Sequence, residues 1–283
     1  MSKDVLSVLK YFAYFRYFPT FEELHTFYPR KISSYKLSER LKYMEKNRLI
    51  KSYFHNKLFR YTLQEYSRGW NEYLLKEKFA NIKKNLAKTY ITILSFFPQI
   101  KFIGFSGSLA MSSASKEDDI DLFVITAKER LFTARFIGIF LAFVMGLKRR
   151  RGVYKADNKI CLNLLFDEDN LAIPKDKRTT YVAHEVLQMK PIFNKDSTYE
   201  RFLRANRWAK SVFPNSTKYC SFDSKNIRYL GRSSIMKLVG DVIEYLLKKL
   251  QLALIRRHTT TERIGNTQLW FFPDDFEKRL RSF

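Results

Sequence analysis

Apolar positions 5, 6, 9, 12 and 13 recur at helical spacing within residues 4–18, and Pro19 closes that run. Thr20 with Glu23 forms a capping box that opens a second short helix, Phe21 to Phe27. Ser33 or Ser34 caps a third, whose Leu37, Leu41 and Met44 fall at i, i+4 and i+7. Two β-like runs follow, Leu49 to Phe54 and Leu58 to Leu63, joined by His55-Asn56-Lys57. A Lys-rich helix over 69–87 and a helix over 89–97 lead to an apolar strand at 102–105 and another at 120–125. An apolar helix is expected over 131–147 and a strand over 159–166. From Lys177 the pattern reads as helical, with a stop at Pro191 and a further helix from Tyr199 to Val212. A basic loop over 216–232 precedes a long amphipathic helix, Ser233 to Arg257, with Leu238, Val242, Leu246 and Leu250 at four-residue steps. That helix is expected to pack on the rest of the chain, although its Lys and Arg flanks also suit a membrane surface. The tail, Leu269 to Phe283, is expected to dock through its aromatics.

The stretch from Phe102 to Thr126 carries the chemistry. Its first strand breaks at Ser106-Gly107-Ser108, and its second begins with Asp119 and Asp121. Residues two apart on a strand share a face. The two carboxylates therefore project together, while Ile120, Leu122 and Val124 point the other way. Adjacent carboxylates repel unless a cation lies between them, and hard oxygen ligands suit Mg²⁺. Gly107 permits close backbone approach, and Ser108 offers a hydroxyl and an N–H to an anion.

Gly107-Ser108, a spacer, then Asp119-Ile120-Asp121-Leu122 resembles the signature of the DNA polymerase beta-like nucleotidyltransferase superfamily. The resemblance is strong over about 25 residues and looser from Lys83 to Phe166. It implies transfer of a nucleoside monophosphate from a nucleoside triphosphate to an acceptor hydroxyl. Asp119 and Asp121 would hold two Mg²⁺ (or Mn²⁺) ions, and Ser106, Gly107 and Ser108 would grip the triphosphate. The strand after the Asp pair often carries a third carboxylate in that superfamily. The polar residue there is Asn163, which accepts no proton; Asp157 and Asp167 flank the strand as the alternative third carboxylate. His184 and Glu185 form a titratable pair on the helix around 181–189; a lone histidine beside an apolar face reads first as structural.

Charge extends this picture to partners. The chain has 283 residues, with 52 Lys and Arg against 28 Asp and Glu, a net charge of +24. Such an excess favours polyanions, nucleic acid first and anionic membrane second. Two cysteines, Cys161 and Cys220, exclude a disulfide framework or a structural zinc. Lys10 and Arg16 interrupt the first apolar run, which does not read as a signal peptide, so the expected location is cytoplasmic with no integral membrane association. The helix over 131–147 carries Arg135 and is short for a transmembrane span.

Three helices followed by a hairpin resemble a winged helix-turn-helix domain. Residues 1–70 hold 14 Lys and Arg against 6 Asp and Glu. The resemblance implies nucleic-acid contact from Lys36, Arg40 and Lys42 on the third helix and from Lys57 and Arg60 on the wing. Lys148, Arg149, Arg150 and Arg151 form a second basic run, read either as a solvated face or as a patch near phosphates. The expected fold is α+β: a winged helix over 1–68, a nucleotidyltransferase domain with a small mixed sheet over 69–215, and a basic loop with a helical extension over 216–283. RNA, tRNA above all, or DNA is the expected acceptor. The alternatives are a degenerate nucleotide-sensing DNA-binding regulator and a small-molecule, aminoglycoside-type transferase.

Overall fold

The computed structural model describes residues 2–149, 157–216, 234–256 and 263–271. The chain is mixed α and β. Helices α1 (Ser2–Tyr14), α2 (Phe21–Thr26) and α3 (Ser34–Lys46) come first, followed by the hairpin β1 (Ile50–His55) and β2 (Leu58–Leu63). The capping box at Thr20 is formed, with Glu23 Oε2 accepting the Thr20 N–H at 2.8 Å, and the Ser33 side chain caps α3. Asn56 and Lys57 both take positive φ (49° and 64°), the conformation a two-residue hairpin turn requires. Leu37, Leu41 and Met44 are buried, as their spacing predicts.

The predicted helices over 69–87 and 89–97 are one helix, α4 (Trp70–Ser95), because nothing between them breaks the backbone pattern. Then come β3 (Ile100–Phe105), the one-turn α5 (Gly107–Ala110), β4 (Ile120–Thr126), α6 (Leu131–Val144) and β5 (Ile160–Asp167). Helix α7 (Thr180–Gln188) is followed by β6 (Lys190–Asn194), where a helix end was expected. Pro191 is tolerated because β6 is an edge strand, whose outer side needs no ladder donor. The helix expected over 199–212 is two, α8 (Thr198–Ala205) and α9 (Trp208–Val212). Asn206 breaks them: its amide donates to the carbonyls of Leu171 and Phe202 at 2.9 Å, and its Oδ1 accepts from the Ile173 N–H at 2.8 Å. Helix α10 (Ser234–Arg256) and the short strands β7 (Arg263–Ile264) and β8 (Gln268–Trp270) complete the described chain.

Six strands form one mixed sheet in the order β6-β3-β4-β5-β8-β7. β4 runs parallel to β5, and the other neighbours are antiparallel. One face, with Ile103, Leu122, Val124 and Leu165, packs under α4 and α6. Gly138 lets α6 approach closely: a Cβ there would lie 2.8 Å from Leu162, and its carbonyl accepts the Tyr90 hydroxyl at 2.9 Å. The other face, with Phe102, Phe123, Ile125 and Phe166, packs under α7 and α8. That core continues without interruption into α1, α2 and α3, where His184 of α7 is stacked 3.8 Å from Tyr11 and 4.3 Å from Phe27. Asn215 bolts the same junction, accepting the Ile32 N–H at 2.9 Å and donating to the Arg30 carbonyl at 2.7 Å. The expected basic loop over 216–232 and the tail beyond 271 lie outside the described residues, apart from Ser216.

Helix α10 packs on α6 as expected, but not through the expected stripe. Its inward side is mixed: Leu247 and Leu252 pack on the core, Asp241 pairs with Arg130 at 2.6 Å, and Glu244 accepts the N–H groups of Phe132 (2.8 Å) and Thr133 (2.7 Å) at the start of α6. These orphan amides at a helix start are where a carboxylate is most stabilising. Leu238, Val242, Leu246 and Leu250, the stripe expected to pack inward, are exposed. Among the described residues no helix is long and apolar enough to cross a membrane.

Candidate active site

The strand–turn–strand geometry brings the Gly-Ser turn onto the paired carboxylates. β3 and β4 are neighbours, with Phe105 opposite Leu122, so the chain leaves β3 at the end where β4 begins. Ser106 N–H donates to the Asp121 carbonyl at 3.2 Å and ties the turn down. Gly107 has φ +55°, and a Cβ on it would lie 2.9 Å from Asp121 Oδ2. Only glycine fits there without strain or a clash with the carboxylate. Ser108 sits half-buried on the first turn of α5. Ser106 is buried and its Oγ has no hydrogen-bond partner among the described residues. A water or a ligand oxygen can complete it.

Asp119 and Asp121 lie together, and with Cys161 Sγ their ligand atoms fall within 4.8 Å of one another. Burial, then the Asp119 charge, hold the Asp121 pKa well above the ordinary carboxylate range. The Asn163 amide opposes this by donating to Asp121 Oδ1. Burial, with Asp121 and Asp119 nearby, also pushes the Cys161 thiol up, so it stays protonated and donates to Asn163 Oδ1. Asn163 is therefore engaged on both sides, as donor to a carboxylate and acceptor from a thiol. Two same-face carboxylates, an orphaned Ser106 hydroxyl and a glycine that leaves room beside Asp121 fit a hard divalent cation with a phosphate. The protonated Cys161 is not a ligand suited to Mg²⁺.

Two groups enter the site that the sequence reading placed elsewhere or left unassigned. Arg149 donates to Asp119 Oδ2 at 2.5 Å, so the basic run begins at the carboxylates. Glu185 of α7 accepts the Gly107 N–H at 3.2 Å, the amide expected to meet a phosphate. Burial lifts the Glu185 pKa to about 7, against the lowering effect of that amide and of the Gln188 amide 2.6 Å away. Its neighbour His184 has no site role: it lies in the shared core, and burial pushes its pKa well below the ordinary histidine value. Asp167 is four residues beyond Asn163 on β5, about 13 Å along the strand. It accepts the Glu129 N–H at 2.7 Å and is not a third ligand of this pair. Arg150 and Arg151 lie outside the described residues, and Lys148 is exposed beside β5.

The loop carrying Asp119 is held from beneath by Lys83 of α4. Lys83 is 1% exposed, and its ammonium donates to the Lys116 carbonyl (2.9 Å), the Asp118 carbonyl (2.7 Å) and Asn158 Oδ1 (3.0 Å). All three of its protons are used, which is what keeps a buried ammonium tolerable. The sequence signal was available: Ala80, Lys83, Ala87, Tyr90 and Leu94 form one stripe, and a lysine on an apolar stripe has a specific partner. Lys83→Met is expected to cost about 3 kcal/mol by leaving three acceptors unmatched. That corresponds to a Tm about 5 °C lower for a chain of 283 residues, read by calorimetry.

Glu185 gives a pH signature. Its folded pKa exceeds its unfolded one, so the folded state binds the extra proton between the two values, and stability falls as pH rises from about 4.5 to about 7. Glu185→Gln keeps an acceptor for Gly107 and removes the buried charge. The Tm difference, variant minus parent in a chelator, is expected to be near zero at pH 5 and positive at pH 8. A difference that does not grow over that range would refute the assignment.

On the three-helix-and-hairpin part, Lys36, Lys42 and Lys57 are exposed. Arg40 is half-buried, donating to the Tyr28 hydroxyl at 2.5 Å. Arg60 does not face solvent, contrary to expectation. It points inward from β2, donates to the Phe18 carbonyl at 3.0 Å and lies over the Tyr73 ring at 5.2 Å. Comparison with protein-family models, with curated proteins and with solved structures finds no match to this chain.

Proposed function

We propose that the chain is a nucleotidyltransferase that moves a nucleoside monophosphate from a nucleoside triphosphate to an acceptor hydroxyl on RNA, tRNA above all, or DNA. One observation carries this reading: a Cβ on Gly107 would lie 2.9 Å from Asp121 Oδ2, so the Gly-Ser turn and the paired carboxylates lie directly against each other. The acceptor oxygen bonds to the α-phosphorus, the bond from that phosphorus to its bridging oxygen breaks, and pyrophosphate leaves. Asp119 and Asp121 would hold Mg²⁺ or Mn²⁺. The ion, when bound, neutralises charge on the phosphates that the carboxylates alone would repel. Ser106 Oγ and the Ser108 N–H would take phosphate oxygens, and the Gly107 N–H joins them once Glu185 moves or protonates.

The winged-helix reading of the first 68 residues rests on the order of three helices and a hairpin, with Lys36, Lys42 and Lys57 exposed and Arg60 reassigned to the core. A net charge of +24 supports a polyanionic acceptor over a small molecule.

A second reading is a nucleotide-sensing regulator without turnover. It is favoured by Asn163 in place of a third carboxylate and by Arg149 paired with Asp119, a built-in cation at the metal position. Pyrophosphate release with each nucleoside triphosphate and Mg²⁺, with and without bulk tRNA, separates the two. Release that rises with tRNA supports transfer. Nucleotide binding without release supports the regulator.

A further inference from the structure

We infer that the outer face of α4, α6 and α10 is a docking surface for an anionic lipid bilayer. The face is apolar where a protein of this kind is usually polar. On α10, Leu238, Leu246 and Leu250 are 66%, 59% and 56% exposed, and on α6 Phe143 is 63% exposed. Ile82 and Leu86 continue the exposed apolar surface on α4. The three helices form one layer, since α6 packs against both α4 and α10. Large apolar side chains exposed together on neighbouring helices mark interaction sites. Solvation does not account for α10, because it turns Asp241 and Glu244 toward α6 and leaves Leu238, Leu246 and Leu250 outward.

The charge pattern selects the occupant. Every acidic residue of the three helices is already engaged. Glu72 pairs with Arg16, Glu77 with His55, Asp241 with Arg130, and Glu244 with the first turn of α6. Exposed Lys78, in one i, i+4, i+8 row with Ile82 and Leu86 on α4, and exposed Lys249 on α10 remain beside the apolar surface. Lys249 lies 4.5 Å from the Tyr245 ring and Lys148 lies 5.5 Å from the Phe143 ring. Lysines beside aromatic and leucine side chains on a helix lying flat are the composition of an interfacial helix, apolar side in the acyl boundary and cations at the headgroups. A second copy of the chain would bring the same unmatched lysines against these, without acids to receive them. Insertion across the bilayer is not implied, since no described helix can span it. This surface is independent of the nucleotide site, which lies at the β3–β4 turn.

The test is flotation of the intact chain with vesicles of phosphatidylcholine alone and of phosphatidylcholine with phosphatidylglycerol in equal parts. Partition onto the mixed vesicles and not onto phosphatidylcholine is expected. Leu246→Glu with Leu250→Glu should lower it at least about tenfold, since each leucine withheld from the apolar phase is worth roughly a factor of ten. Lys78→Glu with Lys249→Glu should lower it too, while Lys36→Glu with Lys57→Glu should not. Circular dichroism establishes that each variant is folded. Absence of partition by the intact chain would overturn the proposal. Equal loss with the Lys36 and Lys57 pair would overturn it also, assigning adsorption to general charge. A dimer in light scattering that the leucine pair dissolves, with no vesicle partition, would give the face to a second copy.

Discussion

Changing Asp119 and Asp121 together to Asn is expected to lower pyrophosphate release by about 10³-fold or more, and to abolish the dependence of nucleotide binding on Mg²⁺. The magnitude follows from the several kcal/mol that a divalent cation contributes to phosphoryl chemistry. The fold should survive. Asp121 stands against Asp119 in a setting that already disfavours its ionised form, so removing both charges relieves repulsion. In a chelator the double variant should melt no lower than the parent. The sign of the Tm change and the loss of release are separate readouts. A variant that keeps full release would sink nucleotidyl transfer at this site. One that loses release only by unfolding would leave the carboxylates without the role assigned to them.

Asp119 and Asp121 were legible because a strand has period two, and any β4 that buries Ile120, Leu122 and Val124 must turn both carboxylates the other way. The cores of α1 to α3 were legible for the same kind of reason. Glu185 was not. Its place in the site depends on how α7 crosses the sheet, a long-range contact with Gly107 that no local pattern encodes. Arg149 was read as part of a charge run, and only the β5 crossover sets it against Asp119. Arg60 was misplaced because one step along a two-stranded hairpin decides whether a side chain faces solvent or core. Residues 190–194 were missed because Pro191 reads as a helix stop, and only the edge position of β6 makes it acceptable in a strand. The spacing of Leu238 to Leu250 was read correctly as a stripe and wrongly as an inward one. Periodicity shows that a helix has two faces but does not say which one the neighbour takes. That was settled by Glu244 and Asp241 reaching the start of α6, a pairing more than a hundred residues apart.

Asn163→Asp is expected to raise transfer about 10²–10⁴-fold, the range a positioned general base supplies, or to create it if the parent only binds nucleotide. The geometry explains why this single atom exchange has such leverage. Asn163 Nδ2 already donates to Asp121 Oδ1, so a carboxylate in its place would face Asp121 directly and complete a cluster with Asp119. Without a cation that cluster is unfavourable: three carboxylates replace two, and the amide donor that now steadies Asp121 is gone. The variant should therefore melt lower than the parent in a chelator and recover with Mg²⁺ or Mn²⁺. The parent, with one fewer acidic ligand, should need more of either ion to reach its maximum. Asp167 cannot substitute, since it caps the Glu129 and Asp169 amides at the far end of β5, and Asp167→Asn should lower stability without touching the metal dependence. The competing view makes Asn163 a structural amide that, oriented by Cys161 on its own strand, simply ties β5 to Asp121 of β4. On that view Asn163→Asp lowers release and Tm together, and added cation restores neither. Release and Tm measured across a Mg²⁺ series, for the parent and this variant side by side, decide between the two.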